Sequence, residues 1–218
     1  MIVCHEKKII FVKTKKIGGT SFEIALSKFC GPKCIITPIT STDEDLRKSL
    51  GYRRAQNFTI DASSAKNQID FFNHMTSAQI CKNLPFHIWK NYKKITIVRN
   101  PYEVLVSKYF WRREERNFKD FVMSSDAGIN ENELIAPIFG EDKLDVYLKY
   151  EDMYSDLRLF NLDYLIEGVS KIRAKGDVRP KCADVESMFA PFPELVDYVK
   201  DKCQNTLKLF SYPAPIIL

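Results

Sequence analysis

Basic and hydroxyl side chains surround two adjacent glycines near the amino terminus of the sequence. The residues concerned are Lys13, Lys15, Lys16, Gly18, Gly19, Thr20 and Ser21. Glycines allow positive φ angles and close approach of a ligand to the backbone. At the start of a helix, backbone N–H groups and the helix dipole favour an anion. The pattern therefore predicts a loop that binds a phosphate-like group, with a simple tight turn bearing surface lysines as the alternative.

A second candidate anion site lies in the middle of the chain. Arg99 directly follows an apolar run, and Ser107 comes two helical turns later. A guanidinium group binds a phosphate through two parallel hydrogen bonds, and a serine hydroxyl can donate to the same group. The alternative is that Arg99 pairs with Glu103 and that Ser107 is an ordinary small helix residue.

Each pattern follows a short apolar run that is typical of a buried strand. Residues 9–12 and 95–98 are rich in β-branched residues, which favours buried parallel strands. Phe22, Ala25, Leu26 and Phe29 then recur at helical spacing after the first run. After the second run, Asn100 is predicted as an N-cap and Pro101 as the first helical residue.

Further elements are predicted along the rest of the chain. Strands are expected over 34–39 and 144–148, a helix capped by Thr76 is expected to reach about residue 83, and helices dominate 155–210. Residues 43–70 show only weak signals. Strands that alternate with helices predict an α/β fold, namely a three-layer, mostly parallel sheet flanked by helices. At 218 residues without an obvious linker, a single domain over 1–218 is expected.

The bulk composition excludes several classes of protein. Hydrophobic residues make up 45% of the chain and charged residues 28%, which is ordinary for a globular protein. The longest apolar runs are too short to span a membrane, and the amino terminus lacks a signal-peptide pattern, so a cytoplasmic location is expected. The aromatic and basic run 109–113 is followed at once by Glu114 and Glu115. Such aromatics at helical spacing are more often core, and no nucleic-acid partner is predicted.

The cysteine and histidine pattern does not indicate a metal. The six cysteines, at positions 4, 30, 34, 81, 182 and 203, include no Cys-x-x-Cys pair, and the three histidines are scattered. Structural zinc sites usually combine closely spaced ligand pairs. We therefore expect no metal centre and mostly buried, reduced cysteines. Cys30 and Cys34 are near enough in the chain to approach each other, and the sequence leaves open whether they form a disulfide.

The order of residues in the first loop excludes one familiar nucleotide-binding motif. A Walker A loop needs a lysine directly after its last glycine, whereas Lys16 precedes the glycines here. An NTP-hydrolysing motor or a GTPase is accordingly disfavoured.

Taken together, the two patterns resemble the PAPS-dependent sulfotransferases, especially the branch that modifies carbohydrates. That branch carries Lys-Thr-Gly-Gly-Thr-Ser, and residues 16–21 read Lys-Ile-Gly-Gly-Thr-Ser. The second signature of the family, an Arg-x-Pro segment leading to a serine, is similar to residues 99–107. A weaker similarity to Tyr-Glu-Asp-Leu lies at 150–153. The resemblance implies a P-loop-like sulfotransferase fold, PAPS as the sulfuryl donor, PAP as product, and a small-molecule or carbohydrate hydroxyl acceptor.

The resemblance also implies roles for individual residues. The loop from Lys15 to Ser21, with Gly18, Gly19 and Thr20, would hold the 5′-phosphosulfate. Arg99 and Ser107 would hold the 3′-phosphate. Family members usually have proline at the position of Lys15, so either Lys15 or Lys16 faces the transferring group, and Lys16 is favoured.

The same resemblance implies a general base. His74 lies between the two donor motifs, as a histidine does in the carbohydrate branch, and imidazole titrates near neutral pH. Lys16 and His74 are thus the predicted catalytic residues, with Glu23 and Glu151 as rival bases. A late basic cluster of Arg173, Lys175, Arg179 and Lys181 is either a solvated face or a loop that covers the nucleotide.

Two other functional classes remain alternatives. One is a non-catalytic module that binds a 3′-phosphoadenosine nucleotide or an anionic glycan. The other is a nucleotide kinase-like enzyme, because kinases share the strand–loop–helix arrangement at their phosphate sites.

Overall fold

The computed structural model describes residues 1–61, 68–172, 178–180 and 182–217. Three members of the late basic cluster, Arg173, Lys175 and Lys181, lie outside the described residues. By internal contacts the chain divides into two compact units. The first comprises residues 1–14, 18–98 and 135–174, and the second comprises 15–17, 99–134 and 175–218. The single domain over residues 1–218 stays a prediction.

The strands all belong to the first unit. They are β1 Ile2–Cys4, β2 Ile9–Phe11, β3 Ile35–Ile36, β4 Thr59–Asp61, β5 Gln68–Asp70, β6 Lys93–Val98 and β7 Val146–Lys149. Five of them form a sheet in the order β3-β1-β2-β6-β7, and β4 and β5 form an antiparallel pair. β2 and β7 both pair parallel with β6, while β1 pairs antiparallel with β2 and β3. Within this sheet β1 alone therefore runs against the common strand direction.

Helices connect the later strands and follow the last one. They are α1 Gly19–Ser27, α2 Ser41–Ser49, α3 Ser77–Asn83, α4 Phe86–Asn91, α5 Pro101–Arg112, α6 Phe118–Met123, α7 Glu131–Ile135, α8 Met153–Leu159, α9 Ile166–Lys171, α10 Val185–Phe189, α11 Glu194–Lys202 and α12 Gln204–Leu209. No helix among the described residues is long and apolar enough to cross a bilayer. The α/β class predicted from the sequence is confirmed as a five-stranded sheet flanked by helices.

Each unit has its own apolar packing. In the first unit, a buried cluster joins the sheet to the segments around α3, and its members are Met1, Val3, Ile10, Val12, Ile35, Phe71, Met75, Ile80, Leu84, Ile135, Ala136 and Leu144. In the second unit, the rings of Tyr102 and Phe118 pack edge-on against Phe189, with centroids 5.3 and 5.0 Å away. Tyr109 is half-buried and packs against Phe118 and Phe121, whereas Trp111 in the same aromatic run is exposed.

Local capping signals were predicted correctly. Thr76 caps α3 and forms a reciprocal capping box with Gln79. Asn100 accepts a hydrogen bond from the backbone N–H of Tyr102, and Pro101 opens α5.

Regular structure also occurs where the sequence signals are weak. Within residues 43–70 lie most of α2 and the β4–β5 pair. α2 buries the polar residues Asp43 and Arg47, so it has no apolar stripe for a sequence pattern to find. The predicted strand over 34–39 is only two residues long, and α1 ends at Ser27, before Phe29, the last residue of the predicted helical pattern.

A buried ion pair joins the end of β2 to the middle of α1. Lys13 Nζ lies 2.5 Å from Glu23 Oε2, and the amino group of Met1 lies 2.5 Å from Glu23 Oε1. Burial raises the pKa of the Glu23 carboxyl, but the two ammonium groups outweigh burial and lower its pKa to about 2. Glu23 is therefore a fixed carboxylate in the folded protein.

We predict that Glu23→Gln lowers the free energy of unfolding by about 3–5 kcal/mol, because Lys13 loses its buried counter-charge. The contribution of Glu23 is present above its ordinary pKa of 4.5 and disappears as the pH falls toward 2. Urea unfolding followed by circular dichroism measures the change. Glu167→Gln is the matched control because Glu167 forms an exposed pair with Lys171. Equal unfolding midpoints for the two variants would contradict the prediction.

Candidate functional site

The candidate loop begins where β2 ends, in the first unit. Thr14 follows Lys13, and its hydroxyl donates to the carbonyl of Ile97 in the neighbouring strand β6 at 3.1 Å. Both side chains are buried. The start of the loop is thus fixed to the carboxyl ends of the two parallel strands β2 and β6. In α/β sheets this edge is where ligands bind.

Gly18 is the N-cap of α1, and this position favours glycine over other residues for two reasons. Its φ angle is +73°, and a Cβ built on it would lie 2.6 Å from Cε2 of Tyr150. A cap without a side chain cannot accept a hydrogen bond from the first turn of α1. The predicted strand-to-helix turn is therefore real, with Gly19 and Thr20 buried and Ser21 half-buried in the first turn. Tyr150, from the weak Tyr-Glu-Asp-Met similarity, lies against this turn.

Lys15 is tied to α7 in the second unit. Its side chain forms an ion pair with Glu131, and its backbone N–H and carbonyl bond to the amide of Asn132 at 2.8 and 3.0 Å. Lys108 also pairs with Glu131, with Nζ 3.2 Å from Oε2. The same Nζ donates hydrogen bonds to the carbonyls of Ala127 and Gly128, each at 2.8 Å.

Burial lowers the pKa of Lys108, although Glu131 partly offsets that effect. Burial likewise raises the pKa of Glu131, but Lys15 and Lys108 bring it below its ordinary value. Glu131 is accordingly a carboxylate shared by two lysines. Lys15 therefore has a structural partner in this network.

Lys16 lies next to Arg99, also in the second unit. The Arg99 guanidinium donates from Nη1 to the carbonyl of Lys16 at 3.2 Å. The Lys16 ammonium lies 3.9 Å from the ring centroid of Trp111, on α5. The backbone of Lys16 has a φ angle of +59°, which is unusual outside glycine and is often found at functional positions. One residue from each predicted anion pattern is thus in direct contact.

Arg99 also pairs with Glu103, as the alternative interpretation expected. Nη2 of Arg99 lies 2.8 Å from Glu103 Oε2, and Nη1 of Arg179 lies 2.5 Å from the same oxygen. Two guanidinium groups therefore converge on one carboxylate on α5. Such a cluster can exchange an internal carboxylate for a phosphate ligand. Ser107 is half-buried one turn further along α5.

His74 is oriented by the backbone of the loop, in the first unit. Its Nδ1 lies 3.0 Å from the carbonyl oxygen of Lys13. Because a carbonyl can only accept, Nδ1 carries the hydrogen, and in the neutral ring the lone pair is on Nε2. His74 is half-buried and has a φ angle of +63°. This tautomer has the electronic form of a general base at Nε2.

The two rival bases differ from His74 in their surroundings. Glu23 is fully buried, both of its oxygens contact cations, and it lies beyond the first turn of α1. A carboxylate with a pKa of about 2 is a weak proton acceptor. Glu151 is exposed and lies two residues after the end of β7.

Three contacts at the candidate site were not assigned from the sequence. Arg179 shares Glu103 with Arg99, the ring of Trp111 lies against the Lys16 ammonium, and the ring of Tyr150 lies beside Gly18. Arg179 belongs to the late basic cluster and Trp111 to the aromatic run, but neither sequence pattern indicates the partner. These partners are distant in the chain, so only the fold reveals them.

Comparisons with known proteins agree with the resemblance at the family level. A family model described as "Sulfotransferase family" matches residues 1–209. Searches of curated proteins and of solved structures returned no matching protein. The match covers nearly the whole chain and includes both anion patterns and the half-buried histidine. The chain belongs to the sulfotransferase family.

Proposed function

We propose that this protein transfers a sulfuryl group from PAPS to a hydroxyl-bearing acceptor. The observation that carries the proposal is the 3.2 Å hydrogen bond from Arg99 to the carbonyl of Lys16. It places the arginine of one sulfotransferase signature against the lysine of the other. The family match over residues 1–209 supports the same class of reaction.

The donor would be held at its two anionic ends. The first turn of α1, with its glycine cap at Gly18, suits the 5′-phosphosulfate because backbone N–H groups and the helix dipole favour negative charge there. Arg99 and Ser107 would bind the 3′-phosphate. Arg179 joins them in the proposal because it already shares a carboxylate with Arg99. A phosphate would replace Glu103 as the partner of both guanidinium groups.

The proposed reaction is a direct in-line displacement at sulfur. The acceptor oxygen forms a bond to sulfur while the bond between sulfur and the bridging oxygen of the phosphosulfate breaks. The electron pair of that bond leaves with PAP, and the acceptor hydroxyl gives its proton to His74. The demands on the protein are positioning and charge stabilisation, as in phosphoryl transfer.

His74 is the proposed base because of its tautomer. The bond from Nδ1 to the Lys13 carbonyl fixes the ring and leaves Nε2 in the proton-accepting form. Taking the acceptor proton gives an imidazolium whose Nδ1 hydrogen still faces that carbonyl. The carbonyl thus stabilises the charged ring.

Lys16 is the proposed charge stabiliser for the leaving oxygen. Its neighbour Lys15 is paired with Glu131, which also holds Lys108, so Lys15 would have to give up that ion pair to act on the donor. The cation–π contact with Trp111 is weak enough, at about 0.5–2 kcal/mol, to be exchanged for a bond to the phosphosulfate.

A carbohydrate is the first acceptor to test, because the loop resembles the carbohydrate branch of the family.

Calorimetry with PAP and a transfer assay with PAPS test the proposal. We expect PAP to bind more tightly than ATP. In the transfer assay, we expect a sulfuryl group to appear on at least one hydroxyl acceptor of a broad panel that includes sugars. Arg99→Ala should weaken PAP binding roughly 10- to 100-fold, because a charge-assisted bond to phosphate is lost. Arg112→Ala is the matched control, since Arg112 lies on the same helix in an exposed pair with Asp126.

Three outcomes would overturn the proposal. PAP binding without turnover across the panel indicates a binding module instead. ATP that displaces PAP indicates a kinase-like enzyme. An equal loss of affinity in Arg99→Ala and Arg112→Ala removes Arg99 from the donor site.

We predict that His74→Ala lowers the turnover number by roughly 10²–10⁴-fold and leaves the Kd for PAP unchanged, because a general base acts only on the chemical step. Steady-state kinetics and calorimetry on the same preparation separate the two quantities. His87→Ala is the matched control, because His87 is exposed on α4. Full turnover in His74→Ala would eliminate His74 as the base.

A further inference from the structure

Three cysteines that are distant in the sequence meet at one end of the first unit. Cys4 ends β1, Cys30 follows α1, and Cys34 precedes β3. All three are buried, and their sulfur atoms lie within 4.8 Å of one another. We call Cys4, Cys30 and Cys34 the three-cysteine cluster.

The sheet itself places two of these thiols together. β1 and β3 are antiparallel, with Ile2 opposite Ile36 and Val3 opposite Ile35. The same register continued by one residue sets Cys4 opposite Cys34. The short turn from Cys30 then brings the third thiol to the same point. The spacing rule that predicted no metal centre considers only neighbours in the chain and does not detect this arrangement.

A carboxylate completes the group. Glu6 Oε2 lies 2.7 Å from the sulfur of Cys34 and 3.9 Å from that of Cys4. A Cβ built on Gly31 would lie 1.8 Å from Glu6 Oε1, so the carboxylate occupies space that only glycine leaves open there. Glu6 is exposed and gives the buried thiols a polar route to solvent.

The turn that carries Cys30 and Cys34 is held by surrounding hydrogen bonds. The side-chain amide of Gln56 donates to the carbonyls of Gly31 and Cys34 at 2.8 and 3.0 Å. The amide of Asn57 also donates to Cys34, at 2.9 Å. The backbone N–H of His5 donates to the sulfur of Cys34 at 3.2 Å, a contact that stabilises a thiolate. Outer contacts of this kind orient metal ligands.

We propose that the three-cysteine cluster binds a single zinc-like divalent cation, with a carboxylate oxygen of Glu6 as the fourth ligand. Zinc prefers tetrahedral sites of thiolate with nitrogen or oxygen ligands, and a Zn–S bond of about 2.3 Å puts the sulfurs roughly 3.8 Å apart. The sulfur atoms now lie within 4.8 Å of one another, so the distances between them need to shorten by about 1 Å at most. Each thiol gives up its proton on binding. The ion would join β1, the turn after α1 and β3.

Cobalt is the probe for the test, because it occupies zinc sites and is coloured. The full chain is reduced with a phosphine, stripped with a chelator, freed of the chelator and titrated with Co²⁺. We expect one cobalt per chain. Charge-transfer absorption from thiolate to cobalt should appear in the near ultraviolet, and the visible absorption bands should have the intensity that is typical of tetrahedral cobalt. One equivalent of Zn²⁺ should remove this absorption and raise the melting temperature. The measurement is independent of transferase activity, so its outcome does not bear on the proposed function.

Single substitutions then assign the ligands. Cys4→Ser, Cys30→Ser and Cys34→Ser should each lose charge-transfer intensity and the zinc-induced rise in melting temperature. Cys203→Ser is the matched control, because Cys203 is also buried and free but lies in the second unit. Glu6→Gln should keep the charge-transfer absorption and shift the visible bands. Circular dichroism of each variant checks that it folds.

The results that overturn the inference are equally specific. Wild-type protein that gives no charge-transfer absorption has no such site. Absorption that persists in all three cluster variants, or that disappears in Cys203→Ser, places the metal elsewhere. Loss of two free thiols in air without metal uptake identifies a disulfide pair instead. Unchanged visible bands in Glu6→Gln remove Glu6 from the ligand set.

Discussion

The buried ion pair between Lys13 and Glu23 is the interaction on which the first unit depends most. Lys13 leaves the buried strand β2, and its charge is tolerated only because the carboxylate of α1 meets it at 2.5 Å. The same residue holds His74 through its carbonyl, and its neighbour Thr14 bonds to β6. One short segment thus fixes a helix, a histidine and the adjacent strand, which gives the candidate base a defined position and tautomer.

In the second unit, the corresponding constraint is the competition for carboxylates among basic side chains. Glu131 holds Lys15 and Lys108, and Glu103 holds Arg99 and Arg179. Lysine and arginine side chains gathered in one place need counter-charges, and these two glutamates supply them. A doubly charged phosphate competes well for such a pair of arginines. Under the proposal above, the donor site would exchange one anion for another without rebuilding the fold.

Local signals in the sequence predicted much of this arrangement. The structure contains the caps at Thr76 and Asn100, the two buried runs and the glycine turn. Each of these features depends on contacts within a few residues of the chain. β1 was missed because three residues are too few to show a period, and α2 because it buries Arg47 rather than an apolar stripe. The three-cysteine cluster and the contact of Arg179 with Glu103 depend on strand order and on residues far apart in the chain, which no spacing rule encodes.

A crystal structure with PAP bound is the most direct test of the central claim that two strand-to-helix turns bind one nucleotide. We predict that the 5′-phosphate accepts hydrogen bonds from backbone N–H groups in the first turn of α1, after Gly18. The 3′-phosphate should contact the guanidinium of Arg99 and the hydroxyl of Ser107. PAP bound with only one of these phosphates in place, or bound at another surface, would contradict the account.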